Sequence, residues 1–273
     1  MRGEDRQYDQ LDVDQYLRSQ SNLLRLKARM PPDRVESLAR EVIRRLAKRS
    51  GATTDGPSDE KTEALCLALI SEDDTAGATL IREACATGAS LQDIYLEHLA
   101  AAARRLGEWW ESDRVSFFDV TRGTSRMYAI MHAISDQFPA RCSCDRCALF
   151  ASVPGETHTL GVRMAADLFR EDGWEIELKI GESHNRLVAQ IERSKCGIVG
   201  LSAAGDHAMA ALSKLVVAIR LGMPRRAVFV SGHIVEESEA QLELLDIDGT
   251  ANDMDAAKAL LDALWTQHRG RMQ

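Results

Sequence analysis

Hydrophobic positions recur at helical spacing through the first half of the chain. Within residues 58–140 they lie three and four residues apart, which indicates four helices joined by short turns. Two of these helices begin with a Ser followed three residues later by Asp, at Ser90–Asp93 and Ser116–Asp119, a pattern that satisfies free backbone N–H groups. We therefore predict a helical bundle. The apolar face predicted for its third helix comprises Leu91, Ile94, Tyr95, Leu99, Ala102, Leu106 and Trp109.

The pattern changes in residues 147–273, where short runs rich in Val and Ile alternate with helical stretches. Four runs stand out, namely ALFASV, EIELKI, CGIVGLS and RRAVFVSG. A weaker fifth strand is expected near LELLDI, and a last helix over residues 253–268. Strands alternating with helices predict a doubly wound, Rossmann-like (flavodoxin-like) parallel sheet. The expected fold is thus a four-helix bundle followed by an α/β domain.

Residues 1–57 form a third region, an N-terminal arm that ends in the linker-like stretch GATTDGPSDE. Between residues 24 and 49 the arm carries nine Lys or Arg against three acids, and an apolar stripe at helical spacing predicts an amphipathic basic helix. Two interpretations are open: a solvated helix docked by its stripe, or a contact with nucleic acid or a partner protein. The stripe consists of Val35, Leu38, Val42 and Leu46.

The composition excludes several classes of protein. A hydrophobic fraction of 45% argues against a disordered chain, and no run approaches the roughly 18–20 apolar residues of a membrane helix. A net charge of −8 disfavours DNA binding by the whole surface. We expect a soluble cytoplasmic protein with reduced cysteines. No fourth metal ligand lies near the three cysteines Cys142, Cys144 and Cys147 in the sequence. We therefore interpret this segment as a plain linker between domains, in preference to a redox-sensing thiol cluster or a metal site.

Candidate chemistry lies in the loops after the predicted strands, because parallel sheets bind ligands at the carboxyl ends of their strands. The loop after the first strand has neither the glycines of a dinucleotide site nor the Lys of a phosphate loop. It offers His158 with Glu156 two residues earlier; such a carboxylate fixes one ring nitrogen and leaves the other free to bind a metal. His207 and His233 are possible rim contacts. No catalytic triad is recognisable, so no enzyme is expected.

Three motifs in this half resemble those of cobalamin-binding domains, which carry Asp-x-His-x-x-Gly, Ser-x-Leu and Gly-Gly after the first, third and fourth strands. The resemblance implies that His158 binds cobalt from below and that small residues leave a slot for the displaced tail of the cofactor. Three positions depart from the motifs: Glu156 replaces Asp, Ala204 replaces Leu, and Ser231 replaces Gly. The implied contacts are Glu156, Thr157, His158, Thr159, Leu160, Gly161, Ser202, Ala203, Ala204, Ser231, Gly232, His233 and Thr250.

The bundle adds a second resemblance through the stretch from Gly107 to Thr121. In related light-sensing regulators a Trp at the place of Trp110 caps the upper cobalt ligand, and a Glu-His pair follows where this chain has Val120-Thr121. Because adjacent residues of a helix point in different directions, Trp109 and Trp110 cannot lie on the same face. We expect one in the bundle core and the other at the cofactor.

The stretches WWESDRVSFFDVTRGTSRM and FASVPGETHTLGVRMAADLF together resemble the PpaA/AerR family of photosynthesis regulators, over residues 60–270. That resemblance implies adenosyl- or hydroxocobalamin as cofactor, a response to light, and antirepression of a CrtJ/PpsR-type repressor without direct sequence-specific DNA binding. Two alternatives are a haem-binding sensor of the same family and the corrinoid protein of a methyltransferase. Departures from the motifs favour sensing over turnover.

Overall fold

The computed structural model describes residues 59–135 and 146–272. The predicted arm of residues 1–57, its basic helix, Cys142 and Cys144 all lie outside these ranges. Within the described part of the chain, no helix combines the length and the apolar character that crossing a bilayer requires.

The first described range forms the helical bundle that the sequence predicts. Its elements are α1 (Asp59–Ile70), α2 (Ala76–Ala86), a π-helical segment (Asp93–Leu99) that continues into α3 (Ala100–Glu111), and α4 (Phe117–Ser135). All seven residues of the predicted third-helix face are buried. The π-helical turn was not expected, since apolar spacing does not distinguish it from an α-helical turn.

Both predicted capping pairs are present and fix where the helices begin. The Ser90 hydroxyl donates to Asp93 Oδ2 at 2.7 Å and accepts from the Asp93 amide at 3.1 Å. Ser116 and Asp119 repeat the arrangement with distances of 2.6 and 3.1 Å. Hydrogen bonding lowers the pKa of both carboxyl groups, from the Ser90 hydroxyl in one case and from the Ser116 hydroxyl in the other.

The second described range forms a five-stranded sheet in the order β2-β1-β3-β4-β5, and every neighbouring pair is parallel. The doubly wound prediction is therefore confirmed. In chain order the elements are β1 (Cys147–Ser152), α5 (Leu160–Glu171), β2 (Glu175–Lys179), α6 (His184–Arg193), β3 (Ile198–Ser202), a 3₁₀ turn (Asp206–Ala208), α7 (Met209–Gly222), β4 (Ala227–Ser231), α8 (Ile234–Glu237), α9 (Glu239–Leu242), β5 (Gly249–Ala251) and α10 (Met254–Met272).

The fifth strand is not where the sequence places it. The LELLDI stretch contains the end of α9 and the turns that follow it, with Leu244 exposed, and the strand is Gly249–Ala251. A run of Leu and Ile fits a helix end as well as a strand, so periodicity alone cannot separate them. The short strand pairs with β4 alone, at the edge of the sheet.

The bundle packs against α5 of the sheet domain. Met164 and Leu168 on α5 belong to the same buried apolar cluster as the bundle helices. The buried Tyr95 donates its hydroxyl proton to Asp167 at 2.9 Å, and its pKa is raised by burial and by the adjacent carboxylate. The two domains therefore share one core along this helix.

Candidate functional site

The site lies where the chain direction of the sheet reverses. From β1 the chain proceeds outward to β2, then returns to β3 on the other side of β1, and the loops after β1 and β3 border the place where sheets of this kind bind ligands, which we call the crevice. Val153 N donates to the Ser202 carbonyl at 3.0 Å, and Ala203 N donates to the Ser231 carbonyl at 3.1 Å. These bonds hold the starts of the loops after β1, β3 and β4 side by side.

Glu156 is the anchor of the crevice. Its side chain has no exposed surface, and one carboxylate oxygen, Oε1, accepts from the backbone N–H groups of Thr157 and His158 at 2.8 Å each. The other oxygen, Oε2, accepts from Ala204 N, in the loop after β3, at 2.7 Å. The longer arm of Glu, compared with the Asp of the motif, thus connects two loops of the sheet.

His158 lies on this carboxylate with its ring turned outward. Its Nδ1 is 2.8 Å from Glu156 Oε1, and the side chain is 72% exposed. A proton on Nδ1 satisfies the carboxylate and leaves Nε2 with a free lone pair. The pair therefore presents one oriented imidazole nitrogen to the crevice, which is what binding a metal ion requires.

The hydrogen bond shifts both pKa values. Burial raises the pKa of Glu156, but the His158 ring and the backbone N–H donors outweigh burial and lower it to about 2. The same hydrogen bond raises the pKa of His158 against a smaller opposing effect of burial. The carboxylate consequently stays charged across the physiological range.

His207 shares the carboxylate, a relationship that the sequence did not reveal. Its Nε2 lies 3.6 Å from Glu156 Oε2, and its ring centre is 6.4 Å from that of His158. Donor atoms of all three side chains lie within 4.8 Å of one another. The available signal was the adjacency of β1 and β3 in a doubly wound sheet, which brings the two loops together.

Small residues form the wall between the loops after β3 and β4. Gly232 has a φ of 101°, and a Cβ built there would lie 2.3 Å from the Ala203 carbonyl oxygen. Ser202 and Ser231 end their strands and are directly paired. Of the other predicted contacts here, His233 interacts with Glu236 and Glu237 of α8, and Thr250 is exposed on β5.

The remaining loop residues meet the bundle. The Thr159 and Tyr128 hydroxyls are 2.9 Å apart, and Leu160 packs against the apolar cluster of the bundle. Thr157 is exposed beside His158, and Gly161 is exposed with no heavy atom within 4 Å of a built Cβ. One end of the candidate site therefore touches α4.

One predicted contact is corrected by the bundle. Trp109 is 4% exposed and belongs to the bundle core, so it is not a cofactor contact in this arrangement. A residue on the apolar face of α3 cannot also face the crevice. Trp110 is half-buried, with its ring centre 6.0 Å from that of Phe117.

The charge state of Glu156 predicts an acid-dependent loss of stability. Its pKa falls from 4.5 to about 2 in the folded chain, so its contribution is complete above pH 4.5 and is lost as the pH falls toward 2. In the cobalamin-free chain we expect this loss to reach about 3 kcal/mol in denaturant unfolding.

His158 contributes in the opposite direction. Because its folded pKa is raised above 6.5, its contribution is present below that pH and declines as the pH rises through the folded value. Glu156→Gln should flatten both limbs of the pH profile. Parallel profiles for this variant and the wild type would contradict the assignment.

Comparison with known proteins identifies the family. A model of the B12 binding domain matches residues 146–259, and a second B12 binding domain model matches residues 62–135. Together they cover most of both described ranges. The chain belongs to the B12-binding family. Each matched segment contains one of the two domains that meet at the candidate site.

Two individual proteins similar to this B12-binding chain support the same assignment. An uncharacterized 20.5 kDa protein in the bchF-crtJ intergenic region of Rhodobacter capsulatus is 25% identical over 168 residues, which is 60% of this chain and 88% of that protein. The monomethylamine corrinoid protein of Methanosarcina barkeri is 18% identical, covering 76% of this chain and 100% of that one with a TM-score of 0.64. The latter shows a shared fold, and the predicted resemblance to PpaA/AerR-type proteins is confirmed.

The residues of this chain fit a corrin cofactor. An outward imidazole lies on a buried carboxylate, and beside it is a wall of small residues in which a single Cβ would overlap backbone. The imidazole would supply the nitrogen ligand that a corrin-bound metal requires, and the close packing at Gly232 would hold the loops after β3 and β4 in place beside it. His158, Glu156, Ser202, Ser231 and Gly232 are therefore the residues that would hold the cofactor.

Proposed function

We propose that this B12-binding protein is a light-responsive, non-enzymatic regulator that acts on a CrtJ/PpsR-type transcriptional repressor. The observation that carries the proposal is that the loop holding His158 also bonds to the bundle. Of the two residues that follow His158, Thr159 forms a hydrogen bond with Tyr128 on α4, and Leu160 packs against the apolar cluster of the bundle. We therefore expect a change at the crevice to alter the contacts between this loop and the helical domain.

Bound cobalamin would supply a cobalt centre whose upper ligand can be released by light. The chain's own residues prepare for this: Glu156 holds the His158 tautomer, and the free Nε2 faces the crevice. The Thr159–Tyr128 and Asp167–Tyr95 hydrogen bonds join the sheet domain to the bundle. Lys258 Nζ also donates to Gln92 Oε1 at 3.1 Å, and a shift between two arrangements of the domains with different populations would change these contacts.

The partner assignment draws on the relative in the bchF-crtJ region and on the absence of a recognisable DNA-reading motif in the sequence. The described helices form the bundle or flank the sheet. Regulation through a repressor protein needs no such motif. The bundle surface near the crevice is then the part of the protein whose arrangement depends on the state of the cofactor.

A pull-down of the purified repressor tests the proposal. We expect the full chain loaded with adenosylcobalamin to bind the repressor differently before and after illumination, because photolysis changes what lies between the domains. The matched controls are the cobalamin-free chain and the hydroxocobalamin-loaded chain, neither of which should respond to light. Equal capture in all states would contradict the regulatory role.

The corrinoid protein of a methyltransferase is the second candidate, consistent with the fold shared with the Methanosarcina barkeri protein. It predicts methyl transfer between methylcobalamin on the chain and a thiol acceptor in the presence of a partner enzyme. A haem sensor predicts instead a Soret band and tighter binding of haem than of cobalamin. Absorption spectra of the chain loaded with each tetrapyrrole separate these outcomes from the proposed one.

A further inference from the structure

A cavity of about 350 Å³ lies at the opposite edge of the sheet from the histidines. Lys195 and Arg226 come just before β3 and β4, whereas Ser202 and Ser231 end those strands. Five residues of strand separate the two edges by roughly 16 Å. A ligand in the cavity would therefore leave the candidate B12 site untouched.

The cavity is cationic in a chain whose net charge is −8. Among the described residues that line it, none is Asp or Glu, and four are basic; the full lining is Lys195, Gly197, Met223, Pro224, Arg225, Arg226 and His268. Glu175 forms an ion pair with Lys195 at 2.8 Å and neutralises part of this charge. Two guanidinium groups and an imidazole remain to define the chemistry of the cavity.

The arginines differ in their freedom to bind. Arg226 Nη2 donates to the Ser194 carbonyl at 2.6 Å, which ties together the loops before β3 and β4 and fixes that side chain. Arg225 is exposed, and its side chain has no hydrogen bond or ion pair with any residue in the described ranges. A fixed guanidinium beside an unpaired one suits a phosphate group, which accepts hydrogen bonds from several donors.

The other residues that line the cavity could contact the uncharged organic part of a phosphate-bearing ligand. The His268 ring lies against the backbone at Gly197, where a Cβ would come within 2.2 Å of its Nε2. Met223 and Pro224 add apolar surface. The volume is at the lower end of the roughly 300–1,000 Å³ range of small-molecule sites. A nucleoside phosphate matches this size and this division into charged and apolar walls.

We propose that this cavity binds a small phosphate-bearing ligand of nucleotide size, through Arg225 and Arg226 with His268 as its wall. The inference does not depend on the proposed regulatory function. Because the cavity and the crevice lie at opposite edges, binding should be the same with or without cobalamin.

Isothermal titration calorimetry of the full chain with ADP, inorganic phosphate and adenosine tests the proposal. We expect ADP to bind and adenosine to bind at least about tenfold more weakly, since the charged hydrogen bonds are then absent. Phosphate as tight as ADP would assign the cavity to free phosphate, with the same recognition by the arginines. Adenosine as tight as ADP, or no binding of either phosphate compound, would overturn the proposal.

Arg225→Ala should weaken ADP binding about tenfold without changing the fold, because this side chain makes no contact that the fold uses. Arg104→Ala removes an exposed arginine of α3 and is the matched control for a general loss of positive charge. ADP binding unchanged in the Arg225 variant, or reduced equally in the Arg104 variant, would contradict the site. His158→Ala should leave ADP binding intact.

Discussion

Replacing His158 with alanine is expected to abolish the absorption spectrum of histidine-bound cobalamin in the loaded chain. The His158 imidazole is held by a 2.8 Å hydrogen bond to the buried Glu156 carboxylate. It is also the histidine of the cobalamin-binding motif. Without it, the chain offers no ligand at that point of the loop. The spectrum should become that of cobalamin whose lower ligand is absent or is its own benzimidazole.

The fold should persist in this variant, with a loss of stability limited to the hydrogen bond between His158 and Glu156. The His158 side chain is 72% exposed, and Glu156 keeps its three backbone N–H donors when the ring is removed. Denaturant unfolding of the cobalamin-free variant therefore separates a lost ligand from a lost fold. Added imidazole should partly restore the histidine-bound spectrum, because it can occupy the vacated space.

The neighbouring imidazole provides the control. His207 lies 3.6 Å from the same carboxylate, but on the loop after β3. His207→Ala should preserve the histidine-bound spectrum. If the His158 variant instead has the wild-type spectrum, or the His207 variant loses it, then His158 is not the lower ligand.

Local sequence signals predicted the parts of the fold that depend on local chemistry. Ser90 and Ser116 begin helices because each can bond an Asp three residues ahead, and this needs no tertiary contact. The approach of His158 to Glu156 is also local, since two residues separate them. Four strands were placed correctly: β1, β3 and β4 are continuous apolar runs, as is typical of buried parallel strands, and the edge strand β2 alternates charged and apolar residues.

Features that depend on tertiary packing were missed or misplaced. The contacts of Glu156 with Ala204 N and with His207 depend on β3 lying beside β1, across about 50 residues of chain. Edge strand β5 makes three paired positions with β4, too few to leave a clear apolar run. Periodicity already placed Trp109 on the apolar face of the third helix, but the half-buried position of Trp110 beside Phe117 depends on tertiary packing.

Replacing Gly232 with alanine is expected to produce the largest loss of stability among substitutions at the site. The residue has a φ of 101°, which side chains rarely adopt, and its Cβ would lie 2.3 Å from the Ala203 carbonyl oxygen. Because the overlapping atom is backbone, the loops after β3 and β4 must separate. We expect a loss of about 2–4 kcal/mol in denaturant unfolding, from the combined strain and overlap.

Gly161→Ala is the matched control for Gly232→Ala, since both replace a glycine of the cobalamin-binding motifs. A Cβ at Gly161 has no heavy atom within 4 Å, so the cobalamin-free variant should unfold like the wild type. If the corrin lies beside this helix start, the same variant should still bind cobalamin more weakly, because the methyl group then meets the cofactor. Gly232→Ala should lose both stability and cobalamin binding. Wild-type stability in the Gly232 variant would show that the loops after β3 and β4 are not held together as the structure has them.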